Sequence, residues 1–384
     1  MRTAHAALAS ATIALLTACG GGGGSSSTAT GAPSATAAPV AISRVIVAGD
    51  SLADVGTFGY KATVQNASNV AAGYPIYPEL VARGAGAAAP CAYFRSGDKG
   101  NTFTTDSACT DFAVAGSSVV NPVTRGGDNQ PFSLRKQLES AVTVNGAWKA
   151  GDLVVIDAGG NDVADLAEAY VGAQTGNAAD QAVFLAFLGQ QLSGSTINGA
   201  LAQSDGGSVA AGLYMQQVAR TFWSTVKANT LDKGATRVAL LSLPDIGLTP
   251  RLRSLSGSLA GKGATAPADF LAAVRQWVVM FNTELARQAA GESRVVIAPY
   301  FADFDAQNAS PSTYGLTNVS DAACPTSVDF PQCTDVSLDA AAPAGLVAGW
   351  WKTWLYSDRF HPTPKGHELL AASVMKALQG AGWM

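Results

Sequence analysis

Charge, histidine and cysteine are all scarce in this chain. Asp, Glu, Lys and Arg together make up only 14% of its 384 residues, with 24 basic against 28 acidic side chains and no basic run. That excludes the electrostatic footprint of a nucleic-acid binder and any charge-driven attraction to anionic lipid. Five cysteines are present, none in a C-x-x-C pair, and their spacing suits no zinc site, so no metal ligand set and no cofactor is expected. Three histidines bound any imidazole chemistry to His5, His361 and His367. Hydrophobic residues, by contrast, are abundant at 48%, enough for a sizeable core and incompatible with a disordered chain.

At the N-terminus, Arg2 precedes the apolar stretch Ala6 to Ala18. This stretch falls short of the about 20 residues that a helix needs to cross a bilayer, and residues 1–18 are expected to be an export signal. It ends in "LTAC", Leu16 to Cys19, which resembles the lipobox of bacterial lipoproteins. The resemblance implies cleavage before Cys19, lipidation of Cys19 and, with Gly20 following in place of aspartate, delivery to the outer membrane. An ordinary secretory signal with an incidental cysteine, giving a periplasmic or secreted protein, is the alternative. "GGGGGSSSTATGAPSATAAP" then follows, too polar and glycine-rich to order itself, so 19–43 is expected to be a flexible tether carrying the lipidated residue.

Four cysteines remain beyond the tether. An even count in an exported protein suggests two disulfides with three possible connectivities; the local pairs Cys91–Cys109 and Cys324–Cys333 are favoured, each in a segment that reads as a long loop.

From Arg44 to the end, no repeat and no second linker interrupts the chain, and 44–384 reads as one domain with insertions. "RVIVA" (Arg44 to Ala48), "DLVVIDA" (Asp152 to Ala158), "RVALLSL" (Arg237 to Leu243) and "RVVIAP" (Arg294 to Pro299) lack polar alternation, as strands covered on both faces do. Helical patterns occupy Leu134 to Val144, Val163 to Gly172, Ala211 to Leu231, Pro267 to Ala290 and Gly366 to Gln379. The alternation predicts an α/β fold, a three-layer α/β/α sandwich around a mainly parallel sheet, with chemistry beyond the carboxyl ends of the strands.

"VIVAGDSLADVG" delivers Ser51 to such an end, and Gly159-Gly160-Asn161-Asp162 to another. A serine hydroxyl needs a base within reach and a group to orient that base. His361 follows Asp358 by three residues, so carboxylate and imidazole can meet across one turn. His367, after Thr363 as N-cap and Pro364 at the first helical position, belongs to the last helix instead. The G-x-S-x-G elbow of the α/β-hydrolases is absent, which excludes that architecture.

"GDSL" (Gly49 to Leu52), "DFAVAGSS" (Asp111 to Ser118), "GGND" (Gly159 to Asp162) and "DRFHP" (Asp358 to Pro362) resemble, in order, the four blocks of the GDSL or SGNH esterases and lipases, which have a flavodoxin-like fold. "LPDIGLTP" (Leu243 to Pro250) and "YGLTNVSDAAC" (Tyr314 to Cys324) resemble the subgroup of bacterial autotransporter esterases and secreted lipases. The autotransporter members add a β-barrel that this sequence lacks, so a lipid on Cys19 would take over surface display. Carried over residue by residue, the resemblance implies Ser51 as nucleophile, His361 as base and Asp358 behind it. It also implies an oxyanion hole of the Ser51 and Gly116 N–H groups and the Asn161 amide.

The expected activity is carboxylic-ester hydrolysis through an acyl-enzyme, by a monomer, on short to medium acyl esters. Lipids, phospholipids, polyesters and acetylated glycans all stay open as substrates, and a non-catalytic lipoprotein using the fold as a binding scaffold is the alternative. Asp54 is assigned a structural role, and the D-x-D of Asp303 and Asp305 a solvated loop. Trp350, Trp351, Trp354 and Tyr356, just before Asp358, are either an apolar wall of the site or core.

Overall fold

Four runs of aliphatic residues form one sheet, β1 (Arg44–Ala48), β4 (Asp152–Ile156), β5 (Val238–Leu241) and β6 (Val295–Ala298), in that spatial order and all parallel. The computed structural model describes residues 40–384 apart from 71, 175 and 261–265. The expected signal at 1–18, Cys19 and all of the tether up to residue 39 lie outside the described residues.

Between β1 and β4 come α1 (Tyr77–Gly84), the antiparallel pair β2 (Phe94–Arg95) and β3 (Thr104–Thr105), and α2 (Leu134–Asn145). Helices α3 (Gly160–Ala173), α4 (Ala178–Leu188), α5 (Gly194–Leu201) and α6 (Gly206–Asn229) lead to β5; α7 (Pro250–Gly257) and α8 (Pro267–Ala289) lead to β6. The chain closes with α9 (Tyr300–Ala309), β7 (Asn318–Ala322), α10 (Asp335–Ala340), β8 (Trp354–Tyr356) and α11 (Pro364–Gly380).

Successive side chains of a strand point to opposite faces, and here both faces are apolar. Ile46, Val154, Val238 and Leu240 join one core with Leu138 of α2, Leu166 of α3, Phe222 of α6 and Phe281 of α8. Val45, Val47, Leu153, Val155 and Ala239 join a second core with Val81 of α1, Phe304 of α9 and Val374 of α11. Two cores on one sheet make the three layers, and the missing polar alternation in the sequence follows from them. Each fully buried aliphatic side chain contributes about 1.5–3 kcal/mol.

A short strap lies along the free edge of β1. The Val47 N–H donates to the Thr110 carbonyl (2.9 Å), and the N–H groups of Phe112 and Val114 donate to the carbonyls of Val47 (2.8 Å) and Gly49 (3.2 Å). The strap therefore brings the residues after Val114 to the same end of the sheet as those after β1. Both expected disulfides are formed, Cys91–Cys109 and Cys324–Cys333.

Candidate active site

Beyond Ala48 the backbone passes so close to Asp157 that only glycine fits. A Cβ on Gly49 would lie 1.6 Å from Asp157 Oδ1 and 2.6 Å from its carbonyl oxygen. Both polar groups of Gly49 are taken up by one side chain: its N–H donates to Gln137 Oε1 (2.8 Å), and Gln137 Nε2 donates to its carbonyl (3.0 Å). Ser117 Oγ adds a third bond to that carbonyl, 2.6 Å. The turn carrying Ser51 is thus fixed before any substrate arrives.

The Ser51 hydroxyl lies 2.7 Å from His361 Nε2, and His361 Nδ1 lies 2.8 Å from Asp358 Oδ2. A carboxylate facing Nδ1 selects the tautomer with the proton there, leaving Nε2 free to accept from the serine. The other Asp358 oxygen accepts the N–H groups of Phe360 (2.7 Å) and His361 (2.6 Å), so the turn between them is held by the carboxylate that orients the ring.

Burial works against charge on both partners, yet the pair overcomes it. Desolvation would raise the Asp358 carboxyl, but the charge and hydrogen bonds of His361 with the turn N–H groups pull it below the ordinary range. Desolvation would lower His361, while the Asp358 charge and hydrogen bond, helped by Asp50, raise it above 6.5.

Across from this chain stand the other expected residues. Gly116 has φ +84°, a left-handed conformation that favours glycine. The N–H groups of Ser51 and Gly116 have no acceptor among the described residues. Asn161, in the first turn of α3, donates one amide proton to the Ser117 carbonyl at 2.7 Å, which fixes its orientation and leaves the other N–H available. Ser51, Gly116, Asn161, Asp358 and His361 all line one cleft of about 890 Å³. Such a set can attack a carbonyl, accept the proton released and receive the oxygen's developing charge.

The profile of the GDSL-like Lipase/Acylhydrolase family matches residues 45–374. The chain belongs to the GDSL-like lipase/acylhydrolases. Among solved structures this GDSL-like hydrolase is similar to an extracellular lipase from Streptomyces rimosus, at 15% identity and a TM-score of 0.41 over 87% of this chain and 99% of that one. It is also similar to phospholipase A1 from Streptomyces albidoflavus, at 14% identity and a TM-score of 0.38 over 87% and 98% of the two chains. No curated protein sequence matches it. Family membership makes the chain a hydrolase acting on esters.

Three buried acids of this GDSL-like hydrolase tie its loops together. Asp54 accepts the N–H groups of Gly56 (2.9 Å), Thr57 (2.7 Å) and Ala115 (2.8 Å), joining the Ser51 loop to the Gly116 loop. This is the structural role expected of it. Asp111 accepts from Val55 and Ala113, at 2.8 and 2.9 Å. Asp162 accepts from Val119 (2.9 Å) and Val120 (3.0 Å), and its burial pushes the carboxyl up to about 7. Sequence reasoning missed Gln137 altogether, although it stands inside the apolar stripe of Leu134, Leu138 and Ala141 where a polar residue is out of place.

Other expectations need correction or are set aside. Asp303 and Asp305 stand on helix α9, not in a loop, and Asp305 pairs with Arg275 at 2.6 Å. Trp350 and Trp351 are buried with the Cys324–Cys333 disulfide in a small third core, against which Trp354 packs, so they are not a wall of the site; Tyr356 alone of the four borders a pocket next to Ser51. His367 is fully buried in the first turn of α11 behind the Thr363 cap, as its sequence context predicts.

Proposed function

We propose that this hydrolase cleaves carboxylic esters in two steps through an acyl-enzyme on Ser51. The observation that carries the reading is the unbroken hydrogen-bonded series from Ser51 through His361 to Asp358, facing Gly116 and Asn161 across the same cleft. Neutral His361 takes the serine proton through Nε2 as the hydroxyl attacks, then returns it to the departing alcohol; water repeats the sequence on the acyl-enzyme. Asp358 holds the ring and balances its transient positive charge. The carbonyl oxygen, as it gains charge, is met by the N–H groups of Ser51 and Gly116 and the free amide proton of Asn161.

The substrates are short to medium acyl esters, and one chain supplies every residue of the site, so a monomer suffices for the reaction. Upstream, residues 1–18 act as an export signal and a lipid on Cys19, followed by the tether, holds the enzyme at the outer membrane. A fluorophosphonate probe should label the wild type and leave Ser51→Ala unlabelled and inactive on p-nitrophenyl butyrate. Labelling that survives in Ser51→Ala would remove this serine from the mechanism. For the anchor, Cys19→Ser should move the protein from the membrane fraction to the soluble one.

A further inference from the structure

Ser51 and His361 border a second, narrower pocket, separate from the open cleft. It runs inward between the ends of β5 and β8 and α9, walled by Leu241, Leu243, Ile246, Tyr300, Phe304 and Tyr356, every one of them buried. The half-buried members of its lining are Leu52, Gly160, Pro244, Phe360 and His361, and Ser51 borders it too, so it meets the reacting atoms. Gly116 and Asn161 line the cleft and not this pocket.

The two spaces suit different halves of an ester. In the two-step reaction the acyl group stays bonded to Ser51 while the alcohol departs and water enters. The open cleft of about 890 Å³ lets a group leave and a water arrive. The buried pocket can hold only what remains attached. Its apolar wall fits a hydrocarbon chain; burial raises the carboxyls of Asp50 and Asp157 at its edge, the Asp157 carboxyl further because of the Asp50 charge, which keeps two adjacent charges from forming there.

We infer that the narrow pocket receives the acyl chain and favours short chains over long ones, an inference that rests on the acyl-enzyme reading above. The centres of water-sized groups have about 50 Å³ in this pocket. The open cleft has about 890 Å³ by the same measure, so the pocket has room for a short chain and not for a long one. Longer chains must displace buried aromatic walls or turn back into the cleft needed by the alcohol.

The test is a series of p-nitrophenyl esters from acetate to dodecanoate, each kept below its aggregation concentration, with fluorophosphonate labelling of Ser51 run in parallel. The expected kcat/KM peaks near butyrate and falls at least about tenfold by octanoate, as expected when added methylenes find no space. Phe304→Ala, which removes the ring at the pocket wall, should raise the octanoate-to-butyrate ratio at least about tenfold, by opening room for the added carbons. Leu243→Ala provides the same reading should Phe304→Ala not fold. A smaller fall from butyrate to octanoate, or an unchanged ratio in the folded variants, overturns the inference. Labelling of Ser51 together with a preference for long esters sinks the short-chain preference alone; no labelling and no hydrolysis of any ester sinks the acyl-enzyme reading and this inference with it.

Discussion

In the proposed reaction His361 has to be neutral, and its surroundings favour the charged form. The raised pKa, set by Asp358 against the penalty of burial, places the acid limb of the kcat/KM profile above 6.5, with activity rising as pH increases through it. A profile already flat below pH 6 would exclude His361 as the base. Asn161→Ala removes one donor to the developing oxyanion and should lower kcat by about 10²–10³ with little change in thermal stability. An unchanged kcat would take Asn161 out of the site. Gly49→Ala differs in kind: its Cβ would overlap both the carboxyl of Asp157 and its backbone carbonyl, and that backbone is tied to the sheet's end by the Asp157 N–H bond to the Ala48 carbonyl. The expected result is a loss of about 3 kcal/mol or more by denaturant unfolding, because backbone cannot step aside as a flexible side chain can.

Among elements, the two disulfide-closed loops supply much of the cleft. Ser96 and Lys99 come from the loop closed by Cys91–Cys109, Val328 and Phe330 from that closed by Cys324–Cys333. Each closure is worth about 3 kcal/mol in chain entropy. Replacing Cys324 and Cys333 together by serine should raise KM for bulky esters more than it lowers kcat, since the triad is held by separate bonds; equal kcat and KM in the variant would show that the loop does not form the binding surface. Why some elements were legible in the sequence and others not follows from their physics. Strands β1, β4 and β5 are buried on both faces and β6 is half-buried on both, so aliphatic runs mark all four to within a residue or two. The strap at Asp111 to Val114 has no such run and pairs by only a few bonds, so only the resemblance of "DFAVAGSS" flagged it. Helix α4 carries apolar residues all round, with Val183 and Leu185 exposed, and so lacks the one-sided period that reveals a helix. Ser51, His361 and Asp358 were legible because a hydroxyl, an imidazole and a carboxylate that can form one hydrogen-bonded series are chemically distinctive. Gln137 was not, because a glutamine's task is visible only once Gly49 is seen beside it.

At the level of the whole molecule, buried titratable groups set the response to pH. His367 is fully buried; burial first, then the charges of His361 and Lys61, push it down to about 3. The folded chain therefore refuses a proton that the unfolded chain accepts below about 6.5, and stability falls as pH drops through that window. Asp111 and Asp157, raised by burial, act in the opposite sense over part of the same range. His367→Met removes one contribution and keeps the volume, so its melting temperature should decline less than the wild type's between pH 7 and pH 4, measured by calorimetry. Parallel decline would mean that His367 finds a proton partner in the fold. One consequence concerns synthesis. The hydroxyl and its proton acceptor stand 310 positions apart, and every strand of the central sheet is complete by Ala298. A polypeptide still leaving the ribosome, or one cut short before Asp358, carries every strand of the sheet and yet lacks the proton acceptor, so turnover itself certifies that translation has passed His361.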